Sequence, residues 1–308
     1  MRRVSQAFAV VICLLMAIGA FEDTATWAQN CESIKSGLNA DRKPQNVGRD
    51  IVGRSLDDIL DRGFIKIAVY EDFPPFSYRE KGVLKGVDID VGRLIAEDLG
   101  VEARFIPTAA DENVDGDLRN NVWRGKLIGG QIANVMLHIP YDRELGCRNE
   151  QVVLNGQYYN EQMAIAYRPK DYPEDPPVAA YFRFDTVGVE NDTLADFYLS
   201  NFAGGQMLKN IHRFKTHEEA MSALAAGEVM AVMGPLSQLE HSLGEETAVH
   251  TPPFPGLAKS SWTLGLAVRH NWRPLSYSVD DAIRYAVQDG RMEAIFKAHG
   301  LTYTKPDW

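Results

Sequence analysis

From residue 54 onward the chain alternates two hydrophobic periods, and no other feature limits its fold as much. RSLDDILDRG has Ser55 as a helix N-cap, apolar Leu56, Ile59 and Leu60 on one face, and Gly63 as the stop. FIKIAVY follows as a strand. DVGRLIAEDLG repeats the helical spacing with Val91, Leu94, Ile95 and Leu99, closing at Gly100. ANVMLHI, MAIAYR, TVGVE, VMAVMG and LGLAVR have strand length, and THEEAMSALAAGE opens on a capping box, Thr216 to Glu219, and stops at Gly227. Such alternation predicts an α/β architecture. Two proline-rich stretches, residues 168–178 and 251–256, bracket a middle segment and suggest two lobes, the second inserted into a discontinuous first.

The first 28 residues differ from the rest. Arg2 and Arg3 precede the apolar run AFAVVICLLMAIGAF and then small residues up to Thr26 and Ala28, the pattern of a secretory signal cleaved near Ala28. Neither Cys13 nor Cys31 follows a lipid-attachment pattern, so the expectation is a periplasmic protein without a membrane anchor. The formal net charge is −10, which argues against a nucleic-acid partner, because phosphate binding needs clustered Lys and Arg. Export would remove Cys13 and leave two thiols in an oxidising compartment, which suggests one disulfide, Cys31–Cys147.

Motifs for catalysis are absent from the sequence. HEEAM at 217–221 lacks the second histidine of a zinc helix, and there is no nucleophile elbow, phosphate loop or paired-cysteine motif. DENVDGDLRNNV at 111–122 begins like a calcium loop, with Asp111, Asn113, Asp115 and Gly116. Its twelfth position is Val122 where calcium would need a bidentate glutamate, and a strand and loop precede it instead of a helix. The reading is therefore no enzyme, no metal and no cofactor.

RGFIKIAVYEDFPPFSYREKGVLKGVDIDVGRLIAEDLGV, residues 62–101, resembles the opening of the periplasmic solute-binding proteins of amino-acid importers, with their aromatic-Pro-Phe turn and G-x-D-x-D step into a helix. The resemblance continues through DREL, VGVENDT, THEEAMSALAAGEVMAV and the C-terminal DDAIRYAVQDGRMEAIFKAHG. It implies a two-lobed type II binding-protein fold with a hinge and an interlobe cleft. The corresponding divisions are a signal peptide at 1–28, an arm at 29–54, lobe 1 at 55–161 plus 259–308, and lobe 2 at 162–258. Carried over by position, the cleft aromatic is Phe73, the carboxylate-binding arginine is Arg143, and a threonine stands at Thr193.

The family's amino-acid grip departs at other positions. Where hydroxyl residues precede the arginine, this chain has Met136 and His138; where an acid pairs the ligand ammonium, it has Gly234 and Pro235 next to Met233. Methionine adapts to irregular apolar surfaces, so Met136 and Met233 either line a cleft that accepts a protein segment or sit on the buried faces of their strands.

DENVDGDLRNNVWRGKLIGGQIANVMLHIPYDREL resembles more narrowly the binding-protein-like partners of PQQ-dependent methanol or alcohol dehydrogenases, the MoxJ and XoxJ type. That implies a non-catalytic, monomeric accessory assisting the maturation or activation of such a dehydrogenase, whose calcium or lanthanide belongs to the enzyme. The alternative is the solute receptor of an importer for a small polar ligand. The narrower resemblance implies that the acidic stretch is a subfamily insertion or a capping helix on the first lobe, with Asp117 as a candidate cap and Leu118, Val122 and Trp123 packing inward.

Overall fold

The computed structural model describes Cys31, residues 52–126, Ile128 and residues 131–307; the expected signal peptide, and the arm apart from Cys31 and its last three residues, lie outside them. Helix α1 (Leu56–Arg62) begins where the Ser55 hydroxyl accepts from the Asp58 amide at 3.1 Å, and it ends on Gly63 at φ +69°. Left-handed backbone at this position costs glycine little, which is why the helix stops there. Strand β1 (Phe64–Tyr70) follows, then the hairpin β2 (Tyr78–Glu80) and β3 (Val83–Lys85), and helix α2 (Val87–Asp98). The α2 stripe of Val91, Leu94 and Ile95 is buried, as its spacing requires. Gly86 in front of it is fixed by space: a Cβ would stand 2.2 Å from the Phe76 carbonyl oxygen, so a side chain would push the helix off the turn that carries Phe73.

Strand β4 (Glu102–Thr108) leads into the acidic stretch, which forms α3 (Val114–Leu118) and one π turn over Arg119–Trp123. Its cap is Asn113, accepting from the Gly116 amide at 3.0 Å, and not Asp117. Asp117 is buried one turn further on, where it accepts from the Tyr70 hydroxyl at 2.8 Å and the Asp111 amide at 2.8 Å. A side chain engaged below the helix is not free to fold back over its first turn. Leu118, Val122 and Trp123 do pack inward, against Ile139 and Leu145. Asp115 is not idle on the surface either: it takes Arg148 Nε at 2.9 Å and Asn149 Nδ2 at 2.8 Å.

Next come β5 (Val135–Pro140), α4 (Arg143–Arg148) and β6 (Val152–Tyr167), followed by β7 (Val187–Glu190), α5 (Leu194–Asn201), β8 (Ile211–Phe214), α6 (His217–Ala226), β9 (Ala231–Pro235), α7 (Leu236–His241) and β10 (Ala248–His250). The chain returns through β11 (Ser261–Arg269) and ends in α8 (Arg273–Asp289) and α9 (Arg291–Ala298). The strands run in the order β4-β1-β5-β11-β6-β9-β7-β8, with β10 beside β6. Parallel pairs β4/β1/β5 and β9/β7/β8 flank an antiparallel middle. Helices cover both faces, the arrangement parallel strands need.

Strand β6 belongs to two layers at once. Its first part, up to Gln162, pairs with β11, and its last part, from Met163, pairs with β9. Alongside, the Met163 amide donates to the Ser260 carbonyl at 2.8 Å, so both chain crossings run side by side. Separate apolar clusters lie on either side: Ile67, Val69, Ile95 and Leu266 in the first, Ile165, Val189, Leu199 and Met233 in the second. The fold is thus two-lobed α/β. A bond between Cys31 and Cys147, with 5.3 Å between Cα atoms, fastens residue 31 to α4. No described helix is long and apolar enough to cross a membrane.

Candidate interlobe binding site

The lobes face each other across a cavity of about 390 Å³. The first lobe contributes the turn after β1, with Asp72, Phe73 and Pro74, and Tyr78 and Arg79 from β2. The second contributes Glu190 from the end of β7, Thr216, His217 and Glu218 at the start of α6, and Gln238 and His241 on α7. Strand ends and helix starts meet here because parallel strands deliver their C-terminal ends to one edge of the sheet, where ligands of open α/β sheets bind.

Phe73 is held as an upright wall. Its ring stacks on Phe76 at 5.7 Å and meets the edges of Tyr70 at 6.0 Å and His138 at 4.9 Å. His138 supports this turn from below instead of opening onto the cavity. It sits at φ +62°, the extra residue of a bulge where Ile139 pairs with Gly265 and Met136 with Ala267. The bulge turns its side chain out of the strand's alternation towards Asp88, with Nδ1 3.2 Å from Oδ2 but no aligned hydrogen bond. Asp88 accepts instead from the Tyr158 hydroxyl at 2.8 Å.

The two methionines do not line the cleft. Met136 is fully buried with Leu118 and Val122 under α3, and Met233 is fully buried in the second-lobe core with Ile165 and Val187. Both faces of their strands are covered, so neither side chain reaches solvent. Arg143 and Thr193 are not among the residues lining the cavity beside Phe73. Arg143 is the exposed first residue of α4, whereas the Thr193 hydroxyl caps α5 at Asp196 and donates to the Glu190 carbonyl at 2.7 Å. Among the described residues, Phe73 is the one of the six expected cleft residues that lines this cavity, and His138 packs against its ring.

At Gly234, where the family resemblance leads one to look for an acid, the space is taken by His217. A Cβ on Gly234 would lie 2.5 Å from the imidazole. The ring is 5% exposed, with Nδ1 2.5 Å from Glu190 Oε2, and the Glu190 carboxylate also accepts from the His217 amide at 3.0 Å. A second acid, Glu161, is buried at the lobe crossing. It accepts from the Ser237 hydroxyl and from the Gln162 amide at 2.9 Å, yet burial pushes its carboxyl above the usual range. Burial likewise holds the His241 imidazole below its ordinary value. Asp72, Glu190, His217 and Glu161 were not singled out by sequence reasoning. The positions of Glu190, closing a predicted strand, and of His217, following a predicted N-cap, were the available signals.

Beside the crossing lies a second, more apolar groove of about 750 Å³, lined by Tyr141, Leu145, Leu194 and Trp262 and crossed by the Lys259–Asp142 ion pair.

Residues 65–122 match the family of bacterial extracellular solute-binding proteins, family 3. A cyclohexadienyl dehydratase of Pseudomonas aeruginosa is 42% identical over 55 residues, a stretch spanning 18% of this chain and 20% of that protein. Among solved structures, an ancestral cationic amino acid solute-binding protein superposes with a TM-score of 0.66 at 22% identity, covering 80% of this chain and 99% of its own. An amino acid importer's binding protein from Streptococcus pneumoniae, bound to L-arginine, gives 0.56 at 21% identity over 82% of this chain and 100% of its own. The chain therefore has the two-lobed fold of the type II periplasmic binding proteins, and its first lobe carries the family-3 solute-binding pattern over residues 65–122.

Proposed function

We propose that this protein is a non-catalytic periplasmic receptor that holds a small polar solute between its lobes for delivery to an importer. The observation that carries the reading is the interlobe cavity itself: each lobe supplies one wall, an aromatic side chain stands upright in it, and polar groups converge from strand ends and helix starts. The fold shared with amino-acid-binding proteins supports it. Thermal melts against a solute panel, followed by calorimetry, test the proposal. One chemical class should raise the melting temperature in a saturable way, and Phe73→Ala should weaken its binding at least tenfold, about 1.4 kcal/mol. A panel in which no solute stabilises the protein would count against a receptor.

A second reading is favoured by the larger groove. Tyr141 and Leu194, 42% and 40% exposed, flank it with Trp262, and an extended protein segment would find apolar contacts there. On this reading the protein is a non-catalytic accessory of a PQQ-dependent methanol or alcohol dehydrogenase. Deleting it would leave that enzyme made but poorly active, with solute uptake unchanged. Full dehydrogenase activity in the deletion strain would rule the accessory role out.

A further inference from the structure

We infer that the interlobe cavity takes an organic cation lacking a carboxylate, of the diamine or guanidine type. The inference rests on the receptor reading and names the chemistry of its ligand. Three carboxylates line the cavity, Asp72, Glu190 and Glu218, against one guanidinium, that of Arg79. Arg79 is partly engaged, since its Nη1 donates to the Gly82 carbonyl at 3.0 Å. The carboxylates of Asp72 and Glu218 have no hydrogen bond or ion pair among the described residues, while Glu190 is occupied by His217. An anionic cavity with two unneutralised acids attracts a cation and repels a ligand carboxylate.

A second observation does not involve the free carboxylates of Asp72 and Glu218. The His217 imidazole, 5% exposed, lines the cavity; its Nδ1 lies against Glu190, whereas its Nε2 has no hydrogen-bond partner among the described residues. A buried ring nitrogen without a partner is costly, and a ligand group that supplies one would remove that cost. The cavity also offers the rings of Phe73 and Tyr78, surfaces over which a desolvated ammonium or guanidinium is stabilised. Lys85 already stands 5.1 Å from the Tyr78 ring centroid, paired with Glu80 at 2.7 Å, which shows that this ring tolerates a cation.

The grip for a ligand carboxylate is missing from the same space. Arg143 lines neither the cavity nor the neighbouring groove, and the Thr193 hydroxyl is used at both ends as a helix cap. An amino acid entering the cavity would bury its carboxylate beside three others, with Arg79 alone to pair it.

Matched pairs that differ only in the carboxylate test this. Calorimetry on the full exported protein at fixed ionic strength would compare agmatine with arginine and cadaverine with lysine, alongside neutral and dicarboxylate solutes. The decarboxylated member of at least one pair should bind at least tenfold tighter than its parent amino acid, and binding should weaken as salt is raised. Asp72→Asn and Glu218→Gln, at exposed positions that hold no structural contact, should each weaken it several-fold without lowering the melting temperature. An amino acid that binds as tightly as its decarboxylated partner overturns the inference. So does a neutral or anionic ligand sensitive to Phe73→Ala, though that result would keep the receptor reading. A protein that binds no solute of any charge would lose both.

Discussion

Gly234 and His217 show how one missing side chain reshapes a cleft. The sequence gives only an absence, a glycine where an acid was looked for, and cannot say what fills the gap. The imidazole fills it, 2.5 Å from the site of the missing Cβ. Gly234→Ala should therefore cost roughly 1–3 kcal/mol by overpacking, and most of that loss should vanish in a His217→Ala background. A double-mutant cycle by urea denaturation measures the coupling; additive losses would mean that the ring is not what the new methyl meets. Glu161 carries a second residue-scale prediction. Its carboxyl is raised above the ordinary value of 4.5, first because it is buried. A raised acid binds its proton more tightly when folded, so the stability it contributes is full below the unfolded value and is lost as pH rises through the folded one. Glu161→Gln should flatten the decline in stability above about pH 4.5. An unchanged pH profile would show that the carboxylate is fully compensated by Ser237 and Gln162.

Among the elements, those with strong local chemistry were legible. The α1 and α6 caps and the α2 stripe were readable because a cap hydroxyl, a left-handed glycine and a three-to-four spacing act within a few residues. Strand β6 was only half visible. MAIAYR marks its end, but the first ten residues, with Gly156 and several polar side chains, do not read as a buried strand; they are held by partners more than a hundred positions away in β11. The two methionine positions stayed open between cleft and core for a related reason. Periodicity places a residue on a face, and only the tertiary fold says that both faces are covered. The acidic stretch was readable as a capping element through its three apolar residues, whereas its polar contacts were not. Asp115, which sequence alone makes an ordinary exposed acid, ties α3 to Arg148 and Asn149 of the α4 end. Asp115→Ala should lower stability by about 1–3 kcal/mol, the range for leaving partly buried partners unsatisfied. Chemical denaturation checks this, and a loss below about 0.5 kcal/mol, as for a free surface residue, would contradict it.

On the scale of the whole molecule, the covalent tie and the cleft lie in different places, so stability and binding should separate. Cys147 is on α4, beside Leu145 and the second groove, while the 390 Å³ cavity is walled by the Phe73 turn, α6 and α7. The disulfide was readable from the two thiols that the expected export would leave; the cleft walls were not, because Asp72, Glu190 and His217 come from three distant segments that only the two-lobed fold joins. The bond spans 116 positions, and closing so long a loop restricts the unfolded chain by about 4–5 kcal/mol in a loop-entropy account. Measured losses are often smaller, so replacing both cysteines by serine should destabilise the protein by about 2–5 kcal/mol. Affinity for a cleft ligand should stay within about twofold at a temperature where both proteins are folded, because no residue of α4 lines the cavity. Denaturant melts and calorimetry on the same two samples give both numbers. A variant that keeps its stability would show that the bond constrains little in the unfolded chain, and one that loses affinity in proportion to stability would show that α4 and the cleft move as one unit.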